Sequence, residues 1–248
     1  MIDFPKVLVC CPTASVKNYC FEPWINNVMN FTYPNFEICM FDNSNDFGTN
    51  AERLDKFVLD KFGTLKKFKV TNSLVLNKSN ETSVIAKMSM SHNDCRNEFL
   101  TKEYDFMLHL ESDVFPNPGI IEQLMSHEKN IVGAVYYTDE GISRCPMIHQ
   151  KLELAPNEIT SLPSRLSEEI QLLNGKLHQV AQIGLGCILI SKKVLERIQF
   201  RFVPNYNFHP DTFFSEDCHL KSIPIHVDTS CICEHENQNW GFYGLDFK

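Results

Sequence analysis

The chain has 248 residues, with 23 Lys plus Arg against 31 Asp plus Glu and a formal net charge of −8. At 43% hydrophobic and 22% charged, with 10 Gly and 12 Pro, it fits no collagen-like, disordered or disulfide-stapled miniprotein class, and it is long enough for one full core. No apolar run approaches the roughly 18 to 20 residues of a membrane span, and the acidic balance disfavours passive binding to polyanions such as nucleic acid or anionic membrane.

The N-terminus, MIDFPKVLVCCPT, has no basic leader and reads as a first core strand over residues 6–11, closed by Pro12. Ten cysteines without regular spacing then read as reduced thiols in the cytoplasm, and the sequons at Asn30, Asn77 and Asn80 as chance. An abundance of Asn, Lys, Phe and Ile points to a bacterial source or a virus-infected cell.

Helical spacing of Phe21, Trp24, Ile25, Val28 and Met29 predicts a helix over 21–31, with Pro23 in its first turn. A strand follows at 37–41, then a helix over 50–62 with Leu54, Phe57, Val58 and Phe62 on one face, and a strand at 66–70. Residues 83–100 read as helix, 106–110 as strand, 118–127 as helix and 131–136 as strand. Alternation of this kind predicts an α/β fold: an open, mostly parallel Rossmann-like sheet with helices on both faces. After Tyr137, Pro146, Pro156 and Pro163 interrupt the pattern, so the region is expected to be irregular or antiparallel with a short helix near 166–173. A strand at 186–190, a helix at 192–198 and an aromatic stretch at 200–214 complete a single domain, its first half over about 1–137 and its functional remainder over 138–248.

Five segments carry chemistry, each with a plainer reading beside it. In YDFMLHLESDVFPNP an apolar strand delivers Glu111, Ser112 and Asp113 at its carboxyl end, where open α/β sheets bind ligands. Two such carboxylates suit a hard divalent cation, or an acidic loop that caps a helix. Asp42 and Asn43 in FDNSNDFGT offer hydrogen bonds to a nucleobase, or an Asx-turn. Gly184 and Gly186 in QIGLGCILI let a backbone approach a ligand, or form a tight turn. Glu216 and Asp217 in FFSEDCHL are predicted to open a helix capped by Ser215, as a general base with its neighbour or as acids favoured by the helix dipole. Cys231, Cys233 and His235 share one face of a strand, as a zinc site or as two buried thiols and a functional histidine; the commoner Cys-x2-Cys spacing is missing.

In this order the segments resemble a GT-A fold glycosyltransferase of the family-two-like group, over most of the chain. VLVCCPT looks like its first strand and nucleotide-binding turn, FDNSNDFGT its second-strand acidic turn and HNDCRNEFL its Arg-Asn helix. LESDVFPNP is similar to the DXD segment, GLGCILISKKVLERI to the glycine-rich loop with its strand and helix, SED to the xED motif, and His235 to the C-terminal histidine of the metal site. The resemblance implies Mn2+ or Mg2+ held by Asp113 and His235 with Glu111, and a nucleoside-diphosphate sugar, a UDP-sugar favoured, among Pro12, Thr13, Asp42, Asn43, Arg96, Glu111, Ser112, Asp113, Gly184 and Gly186. It implies Asp217 as catalytic base with Glu216 as its neighbour, and inversion at the anomeric carbon. Glu111 stands where the motif begins with Asp, so direct coordination falls first to Asp113.

Two rivals keep a related fold. A sugar nucleotidyltransferase wants a Gly- and Arg-rich loop after the first strand, whereas CCPTASVKN offers a lone Lys17 and no glycine. A non-catalytic nucleotide- or zinc-binding module performs no transfer. The hydroxyl acceptor implied is a glycan, a small molecule or a nucleic-acid base such as that of DNA. Phe200, Phe202, Tyr206, Phe208, Phe213, Phe214, Trp240 and Tyr243 stack on it or belong to the core. The Lys-rich stretch 56–78 follows a phosphate backbone or is a solvated face.

Overall fold

Buried β-branched and thiol side chains drive the first strand, β1 (Val7–Thr13), into the middle of a sheet. The computed structural model describes residues 4–44, 46, 48–63, 68–72, 83–140, 143–151, 168–204 and 208–236. After β1 come a 3-10 turn (Ser15–Lys17), α1 (Asn18–Met29), β2 (Phe36–Asp42), α2 (Thr49–Phe62), β3 (Phe68–Asn72), α3 (Val84–Leu100) and β4 (Phe106–Leu110). Then follow β5 (Val114–Phe115), α4 (Ile120–Met125), β6 (Ile131–Val135), β7 (Tyr137–Glu140), β8 (Ser143–Pro146) and β9 (Ile148–His149). The last third holds β10 (Leu177–Val180), β11 (Gln182–Ile183), β12 (Cys187–Ser191), α5 (Lys192–Leu195), α6 (Pro210–Leu220), β13 (Ile225–Ile232) and β14 (Glu234–His235).

The main sheet has eight strands in the order β10-β13-β6-β12-β4-β1-β2-β3. β3, β2, β1, β4, β6 and β13 share one direction, and β12 and β10 run against them. This is the expected α/β architecture, consistent with the Rossmann-like GT-A arrangement. The chain steps from β1 to β2 and β3 on one side and returns to β4 on the other. The crevice between the ends of β1 and β4 is therefore the topological switch point, where such sheets take ligands.

Period-two burial splits the core. Val7, Val9 and Cys11 pack with Trp24 and Ile25 of α1, Leu54 of α2 and Ile120 of α4; Leu8 and Cys10 pack on the other face with Cys95 and Phe99 of α3, Val194 of α5 and Phe214 of α6. Trp24 and Phe99 are fully buried, and side chains of this kind contribute about 1.5–3 kcal/mol or more each relative to exposure. Among the described residues no helix is long and apolar enough to cross a membrane. All ten cysteines are buried and none is in a disulfide.

Three local expectations are corrected. α1 starts at Asn18, so Pro23 lies inside it rather than in its first turn, and the 3-10 turn ahead of it absorbs the entry. α6 begins at Pro210, with His209 as N-cap and Pro at the first helical position, so Ser215 is a buried interior residue and not the cap. Glu216 and Asp217 thus sit in mid-helix, where the dipole no longer accounts for them. The region after Tyr137, in contrast, is antiparallel where described, as expected: β7 pairs with β8, and β9 with β11. Tyr206, Trp240, Tyr243, Asn77, Asn80, Pro156, Pro163 and parts of the Lys-rich stretch and of the short helix near 166–173 lie outside the described residues.

Candidate active site at the carboxyl ends of β1 and β4

β4 ends at Leu110, and the chain turns at once, the Val114 N–H donating to Glu111 O at 3.2 Å. That turn carries Glu111, Ser112 and Asp113 out of the sheet, and β5 behind it pairs antiparallel with β14, setting His235 opposite Val114. The Glu236 N–H donates to Asp113 O at 2.9 Å and closes the zipper. Two motifs over a hundred residues apart in sequence are thereby fixed side by side by backbone hydrogen bonds.

The side chains converge on Asp113. His235 donates its Nδ1–H to the carbonyl of Tyr137 at 2.7 Å, which turns Nε2 toward Asp113 Oδ2 at 3.4 Å. Both side chains are 3% exposed, and Nε2 makes no hydrogen bond there. Lys17, at the end of the turn that leaves β1, places its ammonium on the same Asp113 oxygen. Burial works to raise the Asp113 carboxyl, but His235 and Lys17 outweigh it and hold it down to about 2. Burial and the neighbouring Asp113 push Glu111 up to about 7, against the pull of His235 and Lys17. For His235, burial lowers the imidazole but Asp113 prevails and raises it.

The glycines do something other than expected. A Cβ on Gly184 would lie 2.0 Å from the Tyr136 hydroxyl, and one on Gly186 would lie 2.6 Å from the Tyr136 ring. They are small because this ring occupies the space that side chains there would need. The Gly186 N–H donates to the Tyr136 hydroxyl at 3.2 Å, and the ring meets His235 edge-on with centroids 5.2 Å apart. Gly184 and Gly186 therefore act through Tyr136, which braces His235. Beneath them, His109 of β4 donates its Nδ1–H to the Leu185 carbonyl at 2.7 Å and pairs through Nε2 with His92 at 2.7 Å. Burial lowers both imidazoles, His109 to about 4, so at neutral pH the two are a neutral chain of donors and acceptors holding the loop.

Thr13 and Asp42 end their strands in register, and the Asn43 N–H donates to Thr13 O at 2.8 Å, so Pro12, Thr13, Asp42 and Asn43 form one edge beside Lys17. Asp42 Oδ1 accepts from the Ser44 hydroxyl at 2.6 Å and Asn50 Nδ2 at 2.9 Å, the Asx-turn reading, and its side chain is buried. The Asn43 side chain donates to Ser91 Oγ at 2.9 Å. Ser112 is buried in the turn. Arg96 is not brought to this edge. Its Nε donates to the carbonyls of Leu195 and Ile198 at 2.7 and 2.8 Å, just beyond β12, whose far end pairs with the start of β4. The opposite edge of the sheet uses it.

The acids of α6 divide between two faces. Arg201 bonds Asp217 through Nε at 2.9 Å and Glu216 through its terminal nitrogen, and lies over Phe213. Asp211, in the first turn, is close enough to help raise Glu111 and the Tyr136 phenol, each of which burial raises first. Six residues at 3.6 per turn put Asp217 about 120° round the helix from Asp211. The expected base is thus held by an arginine, and Asp211, an acid absent from the sequence expectations, is near enough to Glu111 to act on it. Its signal was the Pro210-Asp211 start of the helix.

The zinc reading finds no support in this arrangement. Cys231 and Cys233 point into the core, Cys233 beside Cys187, while both nitrogens of His235 face oxygen. Among the described residues no three His, Cys, Asp or Glu side chains converge to hold a metal. A cation at Asp113 would instead have two protein ligands and take its remaining ones from a bound molecule. The buried His235 Nε2 and the cation already resting on Asp113 fit that role chemically.

Fold and site together define an α/β protein with an acidic, histidine-completed centre at its switch point. No family model and no curated protein matches the chain. Among solved structures it is similar to the crystal structure of A197 from STIV, with 13% identity, 93% of this chain and 85% of that chain covered, and a TM-score of 0.48. The functional assignment rests on the site.

Proposed function

We propose that the protein is a metal-dependent glycosyltransferase that moves a sugar from a nucleoside-diphosphate sugar, with a UDP-sugar as the favoured donor, to the hydroxyl of a glycan, a small molecule or a nucleic-acid base. The observation that carries this reading is His235 Nε2, buried without a hydrogen bond 3.4 Å from the Asp113 carboxylate at the switch point. Lys17 and His235 already balance the Asp113 charge, so a divalent cation bound there would take the place of these groups. Asp113 and His235, with Glu111 beside Asp113 in the same turn, would hold a divalent Mn2+ or Mg2+, which would supply positive charge for a departing diphosphate.

The chain's own residues supply the rest. Thr13 and Asn43 form the edge proposed for the nucleoside, with the buried Asp42 fixing the turn beneath it through Ser44 and Asn50, and Tyr136 holds the His235 ring so that no reorientation is needed on binding. A carboxylate of α6 accepts the proton of the acceptor hydroxyl, and a single displacement then inverts the anomeric centre. Glu216 and Asp217 are both taken up by Arg201, whereas Asp211 acts on Glu111, so Asp211 is the carboxylate assigned that task. The lone Lys17 in a short turn after β1 speaks against a nucleotidyltransferase, and the inward thiols speak against a zinc module.

The test is a panel of nucleotide sugars screened by thermal shift and by donor hydrolysis, with and without Mn2+, on the native chain and on Asp113→Ala. Metal-dependent stabilisation and hydrolysis of one donor, lost in the variant, are expected. Absence of any response in the native chain would overturn the reading.

A further inference from the structure

Lys17 ends the turn that leaves β1, and its ammonium rests on Asp113 Oδ2, the oxygen that His235 Nε2 also faces at 3.4 Å. The Lys17 side chain is 19% exposed and that of Asp113 3%, so solvent and salt screen the pair weakly. A carboxylate oxygen that already carries an ammonium is a poor anchor for a divalent cation, because two positive charges would share one ligand at contact distance. The ammonium sits on a flexible four-carbon stem and can leave Asp113 without any movement of β1. Glu111 also lies within reach of its charge, and the diphosphate that arrives with the cation would add a more highly charged anion in the same crevice.

Resting on the glycosyl-transfer reading above, we propose that Lys17 is a resident counterion of Asp113 that an incoming divalent cation displaces, and that its ammonium then pairs with the donor diphosphate. The cation alone binds poorly, cation and nucleoside diphosphate bind as a couple, and Lys17 sets the strength of that coupling. Glu111 and Asp113 meet the positive charges of Lys17 and, when protonated, His235, with Asp211 acting on Glu111. Removing Lys17 leaves an acidic site with a higher appetite for bare cations and a lower one for diphosphate.

The test measures Mn2+ uptake through the electron paramagnetic resonance signal of free Mn2+, with and without UDP, on the full chain. In the native protein UDP is expected to raise Mn2+ affinity at least about tenfold, within the roughly 5- to 150-fold range of coupled sites. Lys17→Met is expected to bind Mn2+ alone about tenfold more tightly than the native chain and to lose most of the UDP effect, while Lys17→Arg behaves as native. Lys17→Gln, checked by thermal melting, replaces the Met variant if that one fails to fold. An unchanged affinity for Mn2+ alone in the neutral variant overturns the proposal. If the native chain takes up Mn2+ with UDP and Asp113→Ala abolishes it, that failure belongs to Lys17 alone. If the native chain takes up no Mn2+ even with UDP, the glycosyltransferase reading falls, and the role of Lys17 with it.

Discussion

Two buried aspartates, Asp113 after β4 and Asp228 in β13, are each held down to about 2 against the upward pull of burial, by different means. Asp228 sits where the pairing of β13 with β6 shifts register, and its neighbourhood closes around it. Oδ1 accepts from the Ser230 N–H and hydroxyl at 2.9 and 2.6 Å, and Oδ2 from His127 Nε2 and Gln123 Nε2 at 2.8 and 3.2 Å. Asp113 is likewise held down by groups from distant parts of the chain, Lys17 and His235, but His235 Nε2 stands off at 3.4 Å rather than closing a short hydrogen bond. A carboxylate with both oxygens filled by short hydrogen bonds stabilises a bulge; one held by ionic groups, one of them standing off, can exchange them for a ligand. Both are acids of this sheet, and only the second has the makings of a site.

The comparison breaks first if charge at Asp113 turns out not to matter. Asp113→Asn keeps the shape and removes the charge, and should lower metal-dependent donor turnover at least about 100-fold, the scale of losing an electrostatic stabiliser. Asp228→Asn should leave turnover unchanged, and equal effects of the two would erase the distinction. Within α6, Asp211→Asn should cost about 100-fold in kcat and Asp217→Asn less than tenfold, as expected when a general base is lost and when it is spared. Reversed effects in the same kinetic assay would return the base to Asp217.

A third experiment perturbs the brace of His235. Gly184→Ala drives a methyl against the Tyr136 hydroxyl and should destabilise the fold by about 1–3 kcal/mol, the usual cost of overpacking. It should also weaken Mn2+ uptake in the presence of UDP. Adding Tyr136→Phe removes the clashing oxygen and should restore part of the melting temperature; no recovery would place the strain elsewhere.

Asp228 also predicts a pH dependence. Its folded carboxyl titrates near 2, below the roughly 3.9 of an unfolded aspartate, so its contribution of about 2 kcal/mol is fully present above that unfolded value. It is lost as pH falls from about 4 through 2. Urea unfolding of native and Asp228→Asn chains should therefore differ most above pH 4 and converge toward pH 2, and a constant difference would contradict this. Away from the site, Arg96→Ala loses hydrogen bonds to Leu195 and Ile198 for about 1–3 kcal/mol and should leave donor binding untouched.

Strand and helix periodicity made β1, β2, β4 and α3 readable from sequence because each is an apolar run or face bounded by polar turns. The start of α6 was hidden by the aromatic stretch ahead of it, and misplacing that start by a turn and more put Glu216 and Asp217 at the opening of the helix instead of its middle. The glycines announced a close approach but not its partner, since Tyr136 lies some fifty residues away and reaches them only through the fold of β6 against β12. Arg96 was read from its motif, yet an arginine in a helix serves whichever carbonyls the packing presents, here those after β12. The role of Lys17 depends on β1 and β4 ending side by side, which is a property of strand order rather than of local sequence.

The central claim is that one cation binds between Asp113 and His235, and anomalous scattering from crystals grown with Mn2+ and UDP tests it most directly. The account predicts a manganese peak in contact with the Asp113 carboxylate and His235 Nε2, with Lys17 turned from Asp113 toward the diphosphate. A peak at Cys231 and Cys233, or UDP bound with no manganese beside Asp113, would contradict it.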